Sequence, residues 1–531
     1  MNNLPSTLKL KGISAALLVA VQIPAHAADW ICSGTNDWDN PACWSTGTQP
    51  AAGDNAFIDS GSASDITVNY INTTNPLDVL GELRLDGVGG GSVILQQADN
   101  YALNAGTLFL GRNGLGEYWH SAGSSRFDWA FVGSRATGSG LYSLSGSASA
   151  RFGTLILGNL GAGSYTQSGG STQVDSTLSL GEEAGGVGSY TLSGGSLTVG
   201  DVLNRAGVEN VGRWGSGSFV QEAGTVHTVY GDLFVGRKAG PLGAPSTGVY
   251  TMNGGTLVTD RLQVGVIPPV VSNVSNSFPD VHSASDGRFI QNAGNVTVNT
   301  SLIVSVSGGA LGLYELRGGT LTAGSVFNND RFVMAGGTLD SDITNRASLD
   351  FRTAGVHSIT GSVSNVGQTT FTQYNSAVNP PLLVFEQTKN GIITLADGAK
   401  LSIGADLNLE NPGTLDLALG PLFFNDKAGP WIDVGGSASL AGVLDISDIS
   451  GWAPVDGDTW LLLQAGTGVT GVFDQVVLPT LAGWDWSVVY DVDRVLLSVS
   501  AVVGGTTVPV PAAVWLFGTG LLAVFGVGRR R

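Results

Sequence analysis

Apolar and polar residues alternate in short runs along most of this chain, and the runs themselves recur. Aligned on a leading aromatic, successive segments read EYWHSAGSSRFDWAFVG, LYSLSGSASARFGTLILG, SYTQSGGSTQVDSTLSLG, SYTLSGGSLTVGDVLN, SFVQEAGTVHTVYGDLFVG, VYTMNGGTLVTDRLQVG, RFIQNAGNVTVNTSLIV and LYELRGGTLTAGSVFNN. The leading residues are Tyr118, Tyr142, Tyr165, Tyr190, Phe219, Tyr250, Phe289 and Tyr314, spaced by 24, 23, 25, 29, 31, 39 and 25 residues. RFVMAGGTLDSDITN, led by Phe332, reads as a shortened final copy. Period-two alternation predicts strands with one buried face. Each copy holds three: one opened by the aromatic, one after a Gly-Gly or Ala-Gly pair, and one of the form LxLG or LxVG. No segment outside the two termini has the periodicity of an amphipathic helix.

Three short strands repeated at 23 to 25 residues predict an all-β fold, a right-handed parallel β-helix. About eleven coils stacked at ~4.8 Å would form a rod roughly 50 Å long, with its aromatics placed to form a ladder. The longer spacings put insertions at the corners: NRAGVENVGRWGSG, RKAGPLGAPST and IPPVVSNVSNSFPDVHSASDG. A leucine-rich horseshoe fits worse, because helical segments and a recurring Asn ladder are lacking. The organisation read from these patterns is a signal peptide over 1–27, an N-terminal cap over 28–80 and β-helix repeats over 81–400. A C-terminal β module over 401–503 closes the rod, and a tail with one transmembrane helix occupies 504–531. Tryptophans gather towards the two ends, at Trp30, Trp38 and Trp44 and at Trp431, Trp452, Trp460, Trp484 and Trp486.

The termini differ from the body. Lys9 and Lys11 precede an apolar run from Ile13 to Val21, and Ala25-His26-Ala27 supplies a small-x-small cleavage pattern. This is a secretory signal, with cleavage expected between Ala27 and Ala28 by signal peptidase after passage through the Sec machinery. At the other end, Val508 to Gly528 is 21 uncharged residues followed by Arg529, Arg530 and Arg531. That length suits one membrane span, and the arginines would stop it on the cytoplasmic side. Pro509, Val510 and Pro511 keep the chain extended before it. A permanent single-span anchor is the alternative to a sorting signal.

Glycine, at 79 of 531 residues, is about twice its usual share, while charged residues are only 12%. The two ends hold five of the basic residues and none of the acidic ones. The remainder carries 42 acidic residues against 19 basic ones, a net charge of −23. Such a surface repels phosphate backbones, which excludes nucleic acid as a partner. Cys32 and Cys43 are the two cysteines. In an oxidising compartment they read as one disulfide, with two buried thiols as the alternative.

WICSGTNDWDNPACWSTGTQPAAGDNAFI, the YTLSGGSL and LSLG copies, and SLAGVLDIS with GDTWLLL, GVFDQVVLP and WSVVYDVDRVLLSV together resemble bacterial surface proteins built like autotransporter passengers. No outer-membrane barrel sequence follows them, which departs from true autotransporters. VPxPAAVWLFGTGLL and its basic stub are similar to the PEP-CTERM sorting signal of Gram-negative bacteria, with Val510 where those signals carry Glu. The resemblance implies an inner-membrane precursor spanning once, and an exosortase that cuts near Pro509–Pro511.

Motifs for chemistry are sparse. GTGVTG, from Gly466 to Gly471, matches a dinucleotide fingerprint but leads into VFDQVV, so it reads as a turn. His120, His227, His282 and His357 lie far apart and read as solvated or corner residues. Asp330 beside Arg331, and Asp340 with Asp342, lie on late coils, where adjacent strands could bring such acids close enough for acid/base work, but acids occur across the whole surface and these read as part of it. Asp37 and Asp39 lack the distal Glu of a calcium loop. No catalytic residue, metal ligand or cofactor follows from these patterns. They favour a non-catalytic surface or matrix protein that associates with extracellular polysaccharide. The competing class is a polysaccharide lyase or hydrolase on the same scaffold.

Overall fold

A computed structural model describes residues 27–72, 79–237, 246–267, 285–306, 310–375, 382–427, 429–446 and 454–502, with the backbone alone at 370–375 and 382–387. It is all-β. The helices among the described residues are one short 3-10 turn, Pro41–Cys43, and the five-residue Pro421–Asn425. The strands fall into three columns. Within a column each strand pairs in parallel with its counterpart one repeat further on.

The aromatic-led column shows why the sequence repeats. Tyr118, Tyr142, Tyr165, Tyr190, Phe219, Tyr250, Phe289, Tyr314 and Phe332 stand opposite one another without a slip in register. Parallel in-register pairing sets like residues about 4.8 Å apart, the separation at which aromatic rings stack. From Tyr142 to Phe332 neighbouring ring centroids lie 4.6 to 5.2 Å apart and within 9° of parallel. Every ring in this stack is fully buried.

The ladder is longer than its aromatics. Upstream it passes through Leu95, Val68 and Asn36, and downstream through Leu349, Ile393, Leu415, Leu444 and Val476. Seventeen strands of this column lie among the described residues, so the stack is roughly 75 Å long rather than 50 Å. Phe332 is not the final copy. Beyond it, aliphatic residues fill the aromatic position, which hid the repeat. The register is likewise unbroken at residues 80 and 400. NRAGVENVGRWGSG is also not simply an insertion, because Gly207–Val211 is a strand of the third column, paired with residues 177–180 and 231–235. RKAGPLGAPST and the proline-rich insertion fall largely outside the described residues.

The turn from the third strand to the next first strand demands glycine. Gly158 has φ +68°, and a Cβ there would run into the Val187 carbonyl of the next repeat. Gly163, two residues before Tyr165, would meet the Val132 carbonyl. Two chains pass too closely at this corner for any side chain.

Both ends of the columns are covered. At the start, Ser45 N–H donates to the Asp29 carbonyl and Ile31 N–H to Cys43, which lays a loop along the first strand, Ala27–Asp29. The Cys32–Cys43 disulfide closes that loop, and Trp44 packs edge-on between Trp30 and Trp38, at 5.0 and 4.8 Å. At the far end, Thr459–Ala465 still pairs in parallel with Ile432–Val434. Its other edge pairs antiparallel with Arg494–Ala501, which in turn takes Trp484–Tyr490 antiparallel. The change of direction ends the parallel stack and limits the edge left to recruit another chain.

Candidate functional site

The interior carries polar groups that follow a rule. Two residues beyond each aromatic lies another inward position, and its residue faces the aromatic of the next repeat. Where it is Gln or His, the next aromatic is Tyr: Gln167 accepts from Tyr190 at 2.5 Å, Gln221 from Tyr250 at 2.6 Å and Gln291 from Tyr314 at 2.6 Å. Gln97 likewise accepts from Tyr118, and His120 Nδ1 bonds the Tyr142 hydroxyl at 2.9 Å. Where it is Leu192, Met252 or Leu316, the next aromatic is Phe219, Phe289 or Phe332. Tyr165 follows Leu144 and instead bonds Thr172 at 2.8 Å, in the second column. A buried hydroxyl is thus present only where it has a partner.

The histidines are not solvated. His120, His227 and His357 are all buried, because each takes an inward strand position; His282 lies outside the described residues. Burial lowers the His120 pKa to about 4 and also lowers that of His357. His227 bridges a carboxyl group and a tyrosine hydroxyl. Its Nε2 lies 2.8 Å from Glu209 Oε2 and its Nδ1 lies 2.8 Å from the Tyr250 hydroxyl, with Glu209 also fully buried. Tyr250 donates to Gln221, so the hydroxyl accepts from Nδ1–H. An Asn stack replaces apolar residues in the third column: Asn328 Nδ2 donates to Asn345 at 2.7 Å and Asn345 Nδ2 to Asn365 at 2.8 Å. A short Asn ladder is thus present, contrary to the expectation from sequence; its copies, VFN, ITN and VSN, are too short to show up without the register.

The acids singled out for chemistry are held in the scaffold. Asp330 accepts from Lys389 at 3.0 Å and from the Gly312 amide at 2.8 Å. Asp340 accepts from Thr360 and Asp342 from the Ser362 amide. Asp37 accepts from Asn69, one repeat on. Among the described residues no three His, Cys, Asp or Glu side chains gather as metal ligands would. In GTGVTG, residues Gly468–Gly471 form a strand paired with Ser437–Leu440, and among the described residues no helix follows to receive a phosphate.

Outward positions are where ligands have access. In the second column these are Ser196 and Thr198, Val226 and Thr228, Thr256 and Val258, Asn295 and Thr297, and Thr320 and Thr322 on successive rungs. The outcome is an uncharged, largely hydroxyl-bearing face. In the first column Ser189 donates to Ser164 at 2.9 Å and Thr247 to Ser216 at 3.0 Å. Trp119 and Trp129, both substantially exposed, stand near the N-terminal end of the stack, and Trp119 Nε1 is held by Glu117 at 2.9 Å.

Ala27 and Ala28 are described, in the first strand, with Ala28 buried; Ala25 lies outside the described residues. Pro509, Val510, Pro511, Arg529, Arg530 and Arg531 also lie outside them. Among the described residues no helix is long and apolar enough to cross a membrane. No protein-family model, curated protein or solved structure matches this chain.

Proposed function

We propose that this chain is an exported, non-catalytic surface or matrix protein of a Gram-negative bacterium, folded as a right-handed parallel β-helix, which associates with extracellular polysaccharide. The observation that carries the reading is the outward face from Ser196 to Thr322. It repeats hydroxyls and small apolar groups rung by rung at ~4.8 Å, a spacing near the length of one sugar residue in a chain. A periodic face suits a periodic polymer, because each rung adds the same weak contact and the sum grows with length. The engagement of Asp330, Asp340 and Asp342 with residues of other rungs supports a scaffold role for those acids over an acid/base one. A signal peptidase removes residues 1–27, the tail holds the precursor in the inner membrane, and an exosortase processes it near Pro509–Pro511.

The test incubates the purified protein with a panel of neutral and acidic polysaccharides and scores retention together with new reducing ends. Retention without product release is expected. Release of oligosaccharides, abolished by changing one or two acids, would establish the lyase or hydrolase class instead.

A further inference from the structure

One stretch of the stack departs from the acidic character of the chain. Residues 101–174 carry Arg112, Arg126, Arg135 and Arg151 against Glu117 and Asp128, in a protein of formal net charge −18. The same rungs bear outward aromatics. In the third column Phe109 stands opposite Phe131, with ring centroids 5.2 Å apart and planes 12° from parallel. Trp129, 50% exposed, lies 6.3 Å from Phe131 and 8° from parallel. Because Phe109 and Phe131 stack along the column, and the Trp129 ring lies nearly parallel to Phe131, their edges face outward, and the edge is the positive end of an aromatic quadrupole.

Arginines line both margins of this strip. On one side, in the turn after the third strand, Arg112 sits 5.3 Å over Phe109, and Arg135 one repeat on donates to Asn113 at 3.3 Å. Neither has an acidic partner within ion-pair distance among the described residues. On the other side, Arg126 and Arg151 occupy successive rungs of the second column, with side chains 59% and 56% exposed. Their acids, Asp128 at 3.7 Å and Asp175 at 3.0 Å, are also at the surface, where such pairs hold weakly and yield to a competing carboxylate.

We propose that this face is a binding site for an anionic polysaccharide bearing uronate carboxylates. Arginine forks take the carboxylates, and the positive ring edges of the aromatic strip between them favour the same anionic groups. The acidic remainder of the molecule repels the same polymer, which directs it to these rungs. The proposal rests on the polysaccharide-associating reading above and adds a ligand class and a second place on the stack, apart from the uncharged face of residues 196–322.

The experiment is affinity electrophoresis of the purified protein through gels containing alginate or dextran, with folding of each variant checked by circular dichroism. The protein is expected to be retarded by alginate and not by dextran. Arg112→Glu with Arg135→Glu, and separately Trp129→Ser, should each weaken alginate binding by about tenfold or more. Arg288→Glu, outside the stretch, should leave it unchanged. Alginate retardation that survives both the arginine and the tryptophan changes would overturn the site while leaving the broader reading intact. Equal retardation by dextran would overturn the anionic class. A protein retarded by no polysaccharide would overturn both.

Discussion

Glu209 and His227 offer the sharpest perturbation of the interior. Glu209 stands in the third column between Leu178 and Leu233, and His227 in the second between Leu197 and Leu257. Replacing His227 by Leu removes the partner of Glu209 Oε2, and Oε1 already has none. A buried carboxyl is left bare, at a cost of about 3–5 kcal/mol. Glu209→Leu leaves only the imidazole Nε2 without a partner, at a cost of about 1–3 kcal/mol. The double change completes two leucine columns, and Tyr250 keeps Gln221 as its acceptor. It should fall within about 1 kcal/mol of the native protein or be more stable, because a buried ion pair rarely outperforms well-packed apolar residues. Long repeat arrays do not unfold as one unit, so the assay is amide hydrogen exchange read rung by rung over residues 187–266. His227→Leu should speed exchange there by about 100-fold or more, Glu209→Leu by less, and the double variant should return close to native rates. A double variant that loses the sum of the two single effects would refute the claim that the pair is a self-contained unit.

Three further outcomes follow from the interior and the tail. The unfolded chain takes up a proton on His120 near pH 6.5, whereas the folded chain does so only near pH 4. Stability is therefore lost as pH falls through that window, by about 3 kcal/mol at most. His120→Gln, which copies Gln97 in the same column, should flatten part of that loss in a melting series at pH 4 to 7, and an unchanged slope would count against it. Phe289→Tyr should destabilise by about 1–3 kcal/mol, since Met252 offers no acceptor, and adding Met252→Gln should restore most of the loss in thermal melts. Pro509→Ala with Pro511→Ala should leave uncut, membrane-bound precursor on an immunoblot of fractionated cells; normal processing would argue that these prolines play no part.

The sequence announced most of this architecture because parallel, in-register stacking makes each repeat answer to the same constraints. An aromatic, a glycine two residues before it and an LxLG corner recur for reasons visible in Tyr165, Gly163 and Gly158. What it concealed follows from two facts. Stacking needs a shared position rather than a shared residue, so Leu349, Ile393, Leu415 and Leu444 continue the column without the aromatic that marked it. Inward polar residues look like loop residues until the register is known, which is why His227 reads as a surface residue and Glu209 and Asn345 carry no signal in the sequence alone. The Tyr-or-Phe choice was present in the letters throughout: Gln167 precedes Tyr190, and Leu192 precedes Phe219. The Arg112 to Arg151 stretch was legible as charge, but only the columns place its arginines on either side of Phe109, Phe131 and Trp129.

Export and sorting to a polysaccharide-bearing surface is the claim on which the proposed function depends. Mass spectrometry of intact protein recovered from the extracellular polysaccharide fraction of the cells that make it tests this most directly. The account predicts a chain beginning at Ala28 and ending near Pro509–Pro511. A chain recovered there with Arg529-Arg530-Arg531 still in place, or one found only inside the cell with residues 1–27 attached, would contradict it.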